Sequence, residues 1–251
     1  MSERPLIAAL NAAAGAALVI AASPCARAND LPAPHMPVIE TPATGAGDAF
    51  VVLYSGDGGW NAAARGFAAD LAAAGDPVAG VDSLRYFLRR RTPARAAADL
   101  AALIERDSAR WSRPRVILVG YSFGADNLPL IVEALPPEAR ARVALVALIS
   151  PADRADMAFR ILSWFDMTLP GARPLAPALA TLPPIPALCI EAEHDPRAAC
   201  DRFPANVRPL RLPGDHRYGG EYDAVARAIL DAAQPATARR LEAEPNAQEN
   251  Q

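Results

Sequence analysis

Lysine is absent from this 251-residue chain; all 25 basic residues are arginine. Alanine is abundant as well, and together these read as a coding bias with little functional weight. Histidine and cysteine are scarce, with three of each, so any imidazole base or thiol pair comes from a very short roster. These residues show no zinc-ligand spacing, and the chain has no P-loop and no dinucleotide glycine fingerprint. No metal or cofactor is therefore expected. The formal net charge of −3 argues against a general nucleic-acid binder. Hydrophobic residues make up 52% of the chain, which excludes a disordered chain, and the length suffices for one domain with a large core.

The first residues read as a targeting segment. Met1–Pro5 is a weakly basic start, Leu6–Ala22 is apolar, and Ala26-Arg27-Ala28 offers a small-residue cleavage site. The apolar stretch is too short and too alanine-rich for a convincing membrane span. Residues 1–28 are therefore expected to be a cleaved signal peptide and the mature protein to be exported to the periplasm. Lipoprotein processing at Cys25, after Ala22-Ser23-Pro24, is the competing reading, and the proline disfavours it. Cleavage after residue 28 removes Cys25 and leaves Cys189 and Cys200, an even pair that bridges in an oxidising compartment.

Residues 29–47 are a proline-rich lead-in, 48–233 the expected domain, and 234–251 a polar tail expected to be disordered. Strands are expected at Val38–Thr41 (a short edge), Ala49–Tyr54, Pro77–Asp82, Arg115–Val119, Arg142–Ile149, Pro186–Ile190 and Val207–Leu212. Helices are expected over Asn61–Ala74, from Thr92-Pro93 through Trp111, over Ala125–Leu135 and over Tyr222–Ala233. Alternating strands and helices with apolar strands predict an α/β fold, a mostly parallel sheet covered on both faces. The segment 150–185 has room for a small cap at most, with one helix expected at Met157–Phe165. No internal repeat or second domain is evident.

Between one of these strands and a helix stands Gly120-Tyr121-Ser122-Phe123-Gly124. Strand, G-x-S-x-G and helix form the nucleophile elbow of the α/β-hydrolases, in which a tight turn lifts the serine hydroxyl clear of the sheet. Ser122 then needs a base, and the base an acid that fixes its tautomer, in the chain order Ser, Asp or Glu, His. His35 precedes the domain, and His194 stands where the acid belongs. His216, in a glycine turn after the last strand, is the expected base. The acid loop reads Glu191-Ala192-Glu193-His194-Asp195-Pro196. Asp195 lies at the expected distance past the strand, with Glu193 as its rival, while Asp215 adjoins His216 and its side chain should diverge from it. Two backbone N–H groups are needed for an oxyanion hole. Phe123 is expected to give one and Asp57, in Ser55-Gly56-Asp57-Gly58-Gly59-Trp60, the other. A bridge from Cys189 to Cys200 would close over the acid loop and hold it in register.

The segments Ser55–Trp60, Val81–Phe87, Arg90–Pro93 and Gly120–Asp126, with the loop from Cys189 to Cys200 and the Pro213-Gly214-x-His216 turn, closely resemble the VirJ/AcvB family of bacterial virulence proteins. The resemblance spans about residues 48–233. It implies a periplasmic α/β-hydrolase, hydrolysis of aminoacylated phosphatidylglycerol, chiefly the lysyl form, and a link to virulence and type IV secretion components. A serine esterase acting on such a lipid meets an ammonium one carbon from the attacked carbonyl. Asp57 or Asp126 is expected to recognise that cation, although Asp126 also suits the first turn of its helix as a complement to the helix dipole. Arg85, Arg89, Arg90 and Arg91 are either a solvated surface or the holder of a lipid phosphate and an anionic membrane face, giving peripheral membrane contact. Trp60, Tyr86 and Phe87 line the pocket mouth or belong to the core. A generic periplasmic lipase, esterase or thioesterase, and a non-catalytic secretion-associated binding protein, are the rival readings.

Overall fold

The computed structural model describes residues 36–159, 171–182, 184–197 and 199–234. The signal segment with Cys25, the lead-in up to His35, and the tail from residue 235 lie outside the described residues. In chain order the elements are β1 (Val38–Thr41), β2 (Ala49–Tyr54), α1 (Ala62–Ala73), β3 (Val78–Val81), α2 (Ser83–Phe87), α3 (Pro93–Trp111), β4 (Arg115–Tyr121), α4 (Phe123–Glu133), α5 (Pro137–Arg140), β5 (Val143–Ile149), β6 (Arg154–Ala155), β7 (Arg173–Pro174), α6 (Ala176–Ala180), β8 (Ala187–Ala192), β9 (Val207–Leu212) and α7 (Asp223–Ala233).

Seven strands form one sheet in the order β1-β3-β2-β4-β5-β8-β9. Only β1 runs antiparallel, at the edge against β3. Along β2 the side chains alternate between two cores: Phe50, Val52 and Tyr54 face one, and Ala49, Val51 and Leu53 the other. The first core is closed by α3 and α4, which supply Leu100, Leu103, Leu128 and Ile131. The second is closed by α1 and α7, through Phe67, Leu71, Val225 and Ile229. Burial on both faces explains why these strands are continuous apolar runs rather than alternating ones.

Local chemistry sets the helix ends. The Asn61 side chain accepts the Ala64 N–H at 3.2 Å and starts α1. Thr92 caps α3 with Pro93 in its first turn, and Ser112, at φ 54°, ends it in the left-handed region. The sequence pattern misses α2, a five-residue helix opened by the Asp82 carboxylate on the Arg85 N–H. At the expected helix 157–165, Met157–Phe159 are not helical and 160–165 lie outside the described residues. Part of the connection from β5 to β8 is instead a two-stranded ladder, β6 antiparallel to β7.

The chain leaves β2 toward β3 on one side and returns to β4 on the other. The strand order therefore reverses between β2 and β4, and the crevice beyond their carboxyl ends is where open α/β sheets bind ligands. Ser122 and the glycine loop 55–59 both stand there.

Candidate active site

Ser122 sits between the last residue of β4 and the first of α4, with φ 51° and ψ −120°. A β-carbon at Gly120 would stand 2.6 Å from Ala125 Cα, and one at Gly124 2.4 Å from the Tyr54 carbonyl oxygen. Neither position has room for a side chain, which is the physical reason for both glycines of the motif. The Ser122 N–H donates to Ile149 O at 2.8 Å and ties the elbow to the end of β5.

His216 Nε2 lies 3.0 Å from Ser122 Oγ, and its Nδ1 2.6 Å from Asp195 Oδ2. The carboxylate fixes the proton on Nδ1 and leaves the Nε2 lone pair facing the serine hydroxyl. Asp195 is buried, and burial works against its charge. The hydrogen bond to His216 and the attraction of its ring, with the Arg197 N–H at 3.1 Å and the Ser150 hydroxyl, outweigh that cost and hold its carboxyl below the usual range.

The structure separates the other candidates from this chain of contacts. Glu193 is exposed on the acid loop. Asp215 turns away from the imidazole and accepts the Arg217 and Gly219 N–H groups at 2.9 and 3.3 Å. These N–H donors hold its carboxyl below the usual range. His194 is exposed, with Nδ1 3.3 Å from Gly214 O. The imidazole of His216 is braced by Tyr121, whose hydroxyl donates to His216 O at 3.1 Å and whose ring lies 5.5 Å from it.

Phe123 opens α4, so its N–H has no partner within the helix. Across from it the chain makes a turn closed by the Gly59 N–H on Gly56 O at 3.1 Å. Asp57 is the second residue of that turn, and its N–H takes no part in the closing bond. A β-carbon at Gly56 would stand 3.5 Å from Ser122 Cβ, so this turn abuts Ser122.

A family model described as bacterial virulence protein (VirJ) matches residues 48–237. The chain belongs to the VirJ family. Its fold is that of the α/β-hydrolases. A putative non-heme bromoperoxidase BpoC from Mycobacterium tuberculosis H37Rv is similar at 19% identity, over 80% of this chain and 97% of that one, with TM-score 0.55. The esterase domain of a Rhodothermus marinus protein is similar at 17% identity, over 82% and 92%, with TM-score 0.53. An alpha-beta serine hydrolase homologue from Coxiella burnetii is similar at 16% identity, over 77% and 89%, with TM-score 0.52. No curated protein matches the sequence.

In this VirJ-family chain the expected substrate-contacting residues divide. Tyr86 is not at a pocket mouth: it is 1% exposed, and its hydroxyl donates to Asp99 Oδ2 at 2.8 Å. The Asp82 cap orients α2 so that Tyr86 and Phe87 face the core. Trp60 lies flat over Gly80, where a β-carbon would stand 1.9 Å from its Cη2, and so fills a gap in the sheet face. Arg85 is exposed on α2, and Asp57 is half-buried. Asp126 accepts the Ala152 N–H at 2.7 Å. Burial is the main cause that pushes its carboxyl up to about 8; Asp57 and Asp153 push the same way, against the Ala152 N–H and Arg197.

The acid loop has the expected disulfide: Cys189 and Cys200 are bonded, with their Cα atoms 5.6 Å apart. Sequence reasoning missed the role of Glu191, which is buried near the end of β8. Its Oε2 accepts the Cys200 N–H at 3.2 Å, and its Oε1 pairs with Arg211 Nε at 2.9 Å. It also missed Tyr121, Ser150 and Tyr218. Among the described residues, no group of three or more His, Cys, Asp and Glu side chains converges as a metal site requires, and no helix is long and apolar enough to cross a membrane.

Proposed function

We propose that this protein is an exported serine esterase that hydrolyses the aminoacyl ester of lysyl-phosphatidylglycerol, releasing lysine and phosphatidylglycerol. The observation that carries the hydrolase part is the unbroken contact from Asp195 through His216 to Ser122. Membership of the VirJ family supports the lipid substrate and the link to virulence. The signal-like residues 1–28 and the Cys189–Cys200 disulfide support a periplasmic location.

Ser122 Oγ attacks the lysyl carbonyl while His216 Nε2 takes its proton. The Phe123 and Asp57 N–H groups receive the oxyanion. His216 returns the proton to the glycerol oxygen, and phosphatidylglycerol leaves. Water, deprotonated by His216, then attacks the lysyl-enzyme, and lysine leaves as Ser122 recovers its proton. The Asp57 carboxylate attracts the aminoacyl ammonium, and Asp126, whose carboxyl is pushed up to about 8, adds its charge above that pH. On the outer side, Arg90 pairs with Asp156 and Arg91 stacks over Tyr86. Arg85 and Arg89 remain exposed and flank Leu88, which is 63% exposed. They supply the peripheral contact with a phospholipid surface.

The test is lysine release from lysyl-phosphatidylglycerol vesicles by the mature protein, with Ser122→Ala in parallel. Release that falls at least about 10⁴-fold in the variant is the expected result. Cleavage of short-chain neutral esters without lysine release would leave a generic esterase or thioesterase. Cleavage of neither, by folded protein, would refute the enzyme and leave a secretion-associated binding protein.

A further inference from the structure

We infer that Ser55 is a positioning residue for the oxyanion turn: its buried hydroxyl ties the first N–H of α2 to the carbonyl of Gly56 and so sets the direction of the Asp57 N–H. The inference rests on the serine-esterase reading above and adds a residue that acts through the turn 56–59.

Ser55 is the first residue after β2 and is fully buried. Its backbone is held on both sides. Its N–H donates to Val81 O at 3.1 Å, at the end of β3, and its carbonyl lies against Gly124, where a β-carbon would stand 2.6 Å from it. The hydroxyl meets the start of α2. Ser83 opens that helix, so its N–H has no acceptor within it. The Asp82 carboxylate serves the Arg85 N–H at 3.2 Å, and the Ser83 N–H donates to Ser55 Oγ at 3.0 Å, across 28 residues of chain. Ser83 is fully buried too, so solvent is no substitute for this bond.

A serine hydroxyl has one proton to give. With the Ser83 N–H accepted on its oxygen, Ser55 donates to Gly56 O at 3.3 Å, the longer of its two contacts. Gly56 O also accepts the Gly59 N–H at 3.1 Å, the bond that closes the turn. This carbonyl and the Asp57 N–H belong to one planar, trans peptide unit and point in opposite directions. Fixing the first therefore aims the second. Glycine at position 56 has no side chain to restrain that unit, so the restraint comes from hydrogen bonds. The far end of the turn is backed by the same helix start: a β-carbon at Gly59, at φ +69°, would stand 3.0 Å from Asp82 Oδ1 and 3.4 Å from Leu84 Cβ. The Ser83 hydroxyl, in the same place, is buried without a hydrogen-bond partner among the described residues.

Ser55→Ala and Ser83→Ala delete two buried hydroxyls from one place, and only the first should matter. On a soluble p-nitrophenyl ester, Ser55→Ala should lower kcat about tenfold, less than outright loss of an oxyanion donor, with KM within about twofold of wild type. Affinity for phenylboronic acid, which forms a tetrahedral adduct on Ser122, should fall by a similar factor. Ser83→Ala keeps its backbone N–H and should stay within about twofold of wild type in both. Ser55→Cys, whose thiol accepts and donates weakly, is the milder variant if Ser55→Ala does not fold, and should lose kcat in the same sense by less. Wild-type kcat in the Ser55 variants, or an equal loss in Ser83→Ala, would overturn the proposal and leave the hydroxyl a packing role. Amide hydrogen exchange gives a reading without turnover: in the Ser55 variants the Gly59 and Ser83 N–H groups should exchange faster while those of β4 do not. Unchanged exchange at Gly59 and Ser83 overturns the proposal even if the wild type cleaves esters. Faster exchange there, with β4 unchanged, supports it even if the wild type cleaves none, in which case the esterase reading alone fails.

Discussion

Gly124→Ala is the sharpest steric test of the elbow. The added β-carbon would stand 2.4 Å from Tyr54 O and 2.6 Å from Ser55 O, both backbone atoms at the end of β2. Neither can rotate away, so α4 must retreat by roughly 1 Å to reach ordinary contact. Overpacking of this kind costs about 1–3 kcal/mol, and the better helix propensity of alanine offsets up to about 1 kcal/mol. The functional loss is larger. Tyr54 and Ser55 lead into the glycine loop, so the retreat separates the Phe123 N–H from the Asp57 N–H and moves Ser122 relative to His216. A misplacement near 1 Å costs about 10²-fold, or about 2.7 kcal/mol of transition-state stabilisation. Gly56→Ala is the stability control: its β-carbon meets Ser122 Cβ and the Tyr121 ring at 3.5 Å, an ordinary contact. Urea unfolding and kcat/KM on a soluble ester measure both variants. Gly124→Ala with kcat/KM within about twofold of wild type, or no less stable than Gly56→Ala, would refute the steric account.

Two further outcomes follow from the site. Replacing both Cys189 and Cys200 with serine opens a closed loop with a sequence separation of 11 and should cost roughly 3 kcal/mol on the chain-entropy model; denaturant midpoints check this, and a loss below about 1 kcal/mol would contradict it. Because the Asp126 carboxyl is pushed up to about 8, it is mostly protonated below that pH and ionised above it. The preference for an ester with a trimethylammonium acyl group, whose charge does not titrate, over a neutral ester should therefore rise as pH passes about 8. Asp126→Asn should flatten that rise and Asp57→Asn should lower the preference throughout; equal losses on both esters would remove the cation-recognition role.

Much of this arrangement could be read from the sequence because the relevant constraints are local. A turn with backbone atoms 2.4–2.6 Å from two would-be β-carbons admits only glycine, so G-x-S-x-G carries its geometry in its letters. The apolar strands and the Thr92-Pro93 start of α3 are local in the same sense. What was not legible depends on distant pairings. Tyr86 reads as an aromatic near the site until Asp99, on the next helix, is seen to accept its hydroxyl. Trp60 reads the same way until the missing side chain at Gly80 gives its ring a place. Ser150 and Tyr218 meet across 68 residues in left-handed conformations that non-glycine residues do not advertise.

The position of the disulfide has a physical explanation in the topology. Loops are mobile by default, yet a hydrogen-bonded triad needs its members held to a few tenths of an ångström. The elbow is fixed by the close packing of α4 on β2 and β4. The His216 turn is fixed by Tyr121 and by Asp215 folding back on the Arg217 and Gly219 N–H groups. The acid loop lacks such a scaffold. A parallel connection usually crosses over through an α-helix. Between β8 and β9, the described residues hold only a single 3₁₀ turn at Cys200–Arg202. The Cys189–Cys200 bond and the buried Glu191, joined to the Cys200 N–H and Arg211, stand in for the missing helix. They close the loop at its base, and the Arg197 N–H and the His216 ring then orient Asp195. A covalent staple thus closes the loop that carries Asp195, where the described residues hold no α-helix.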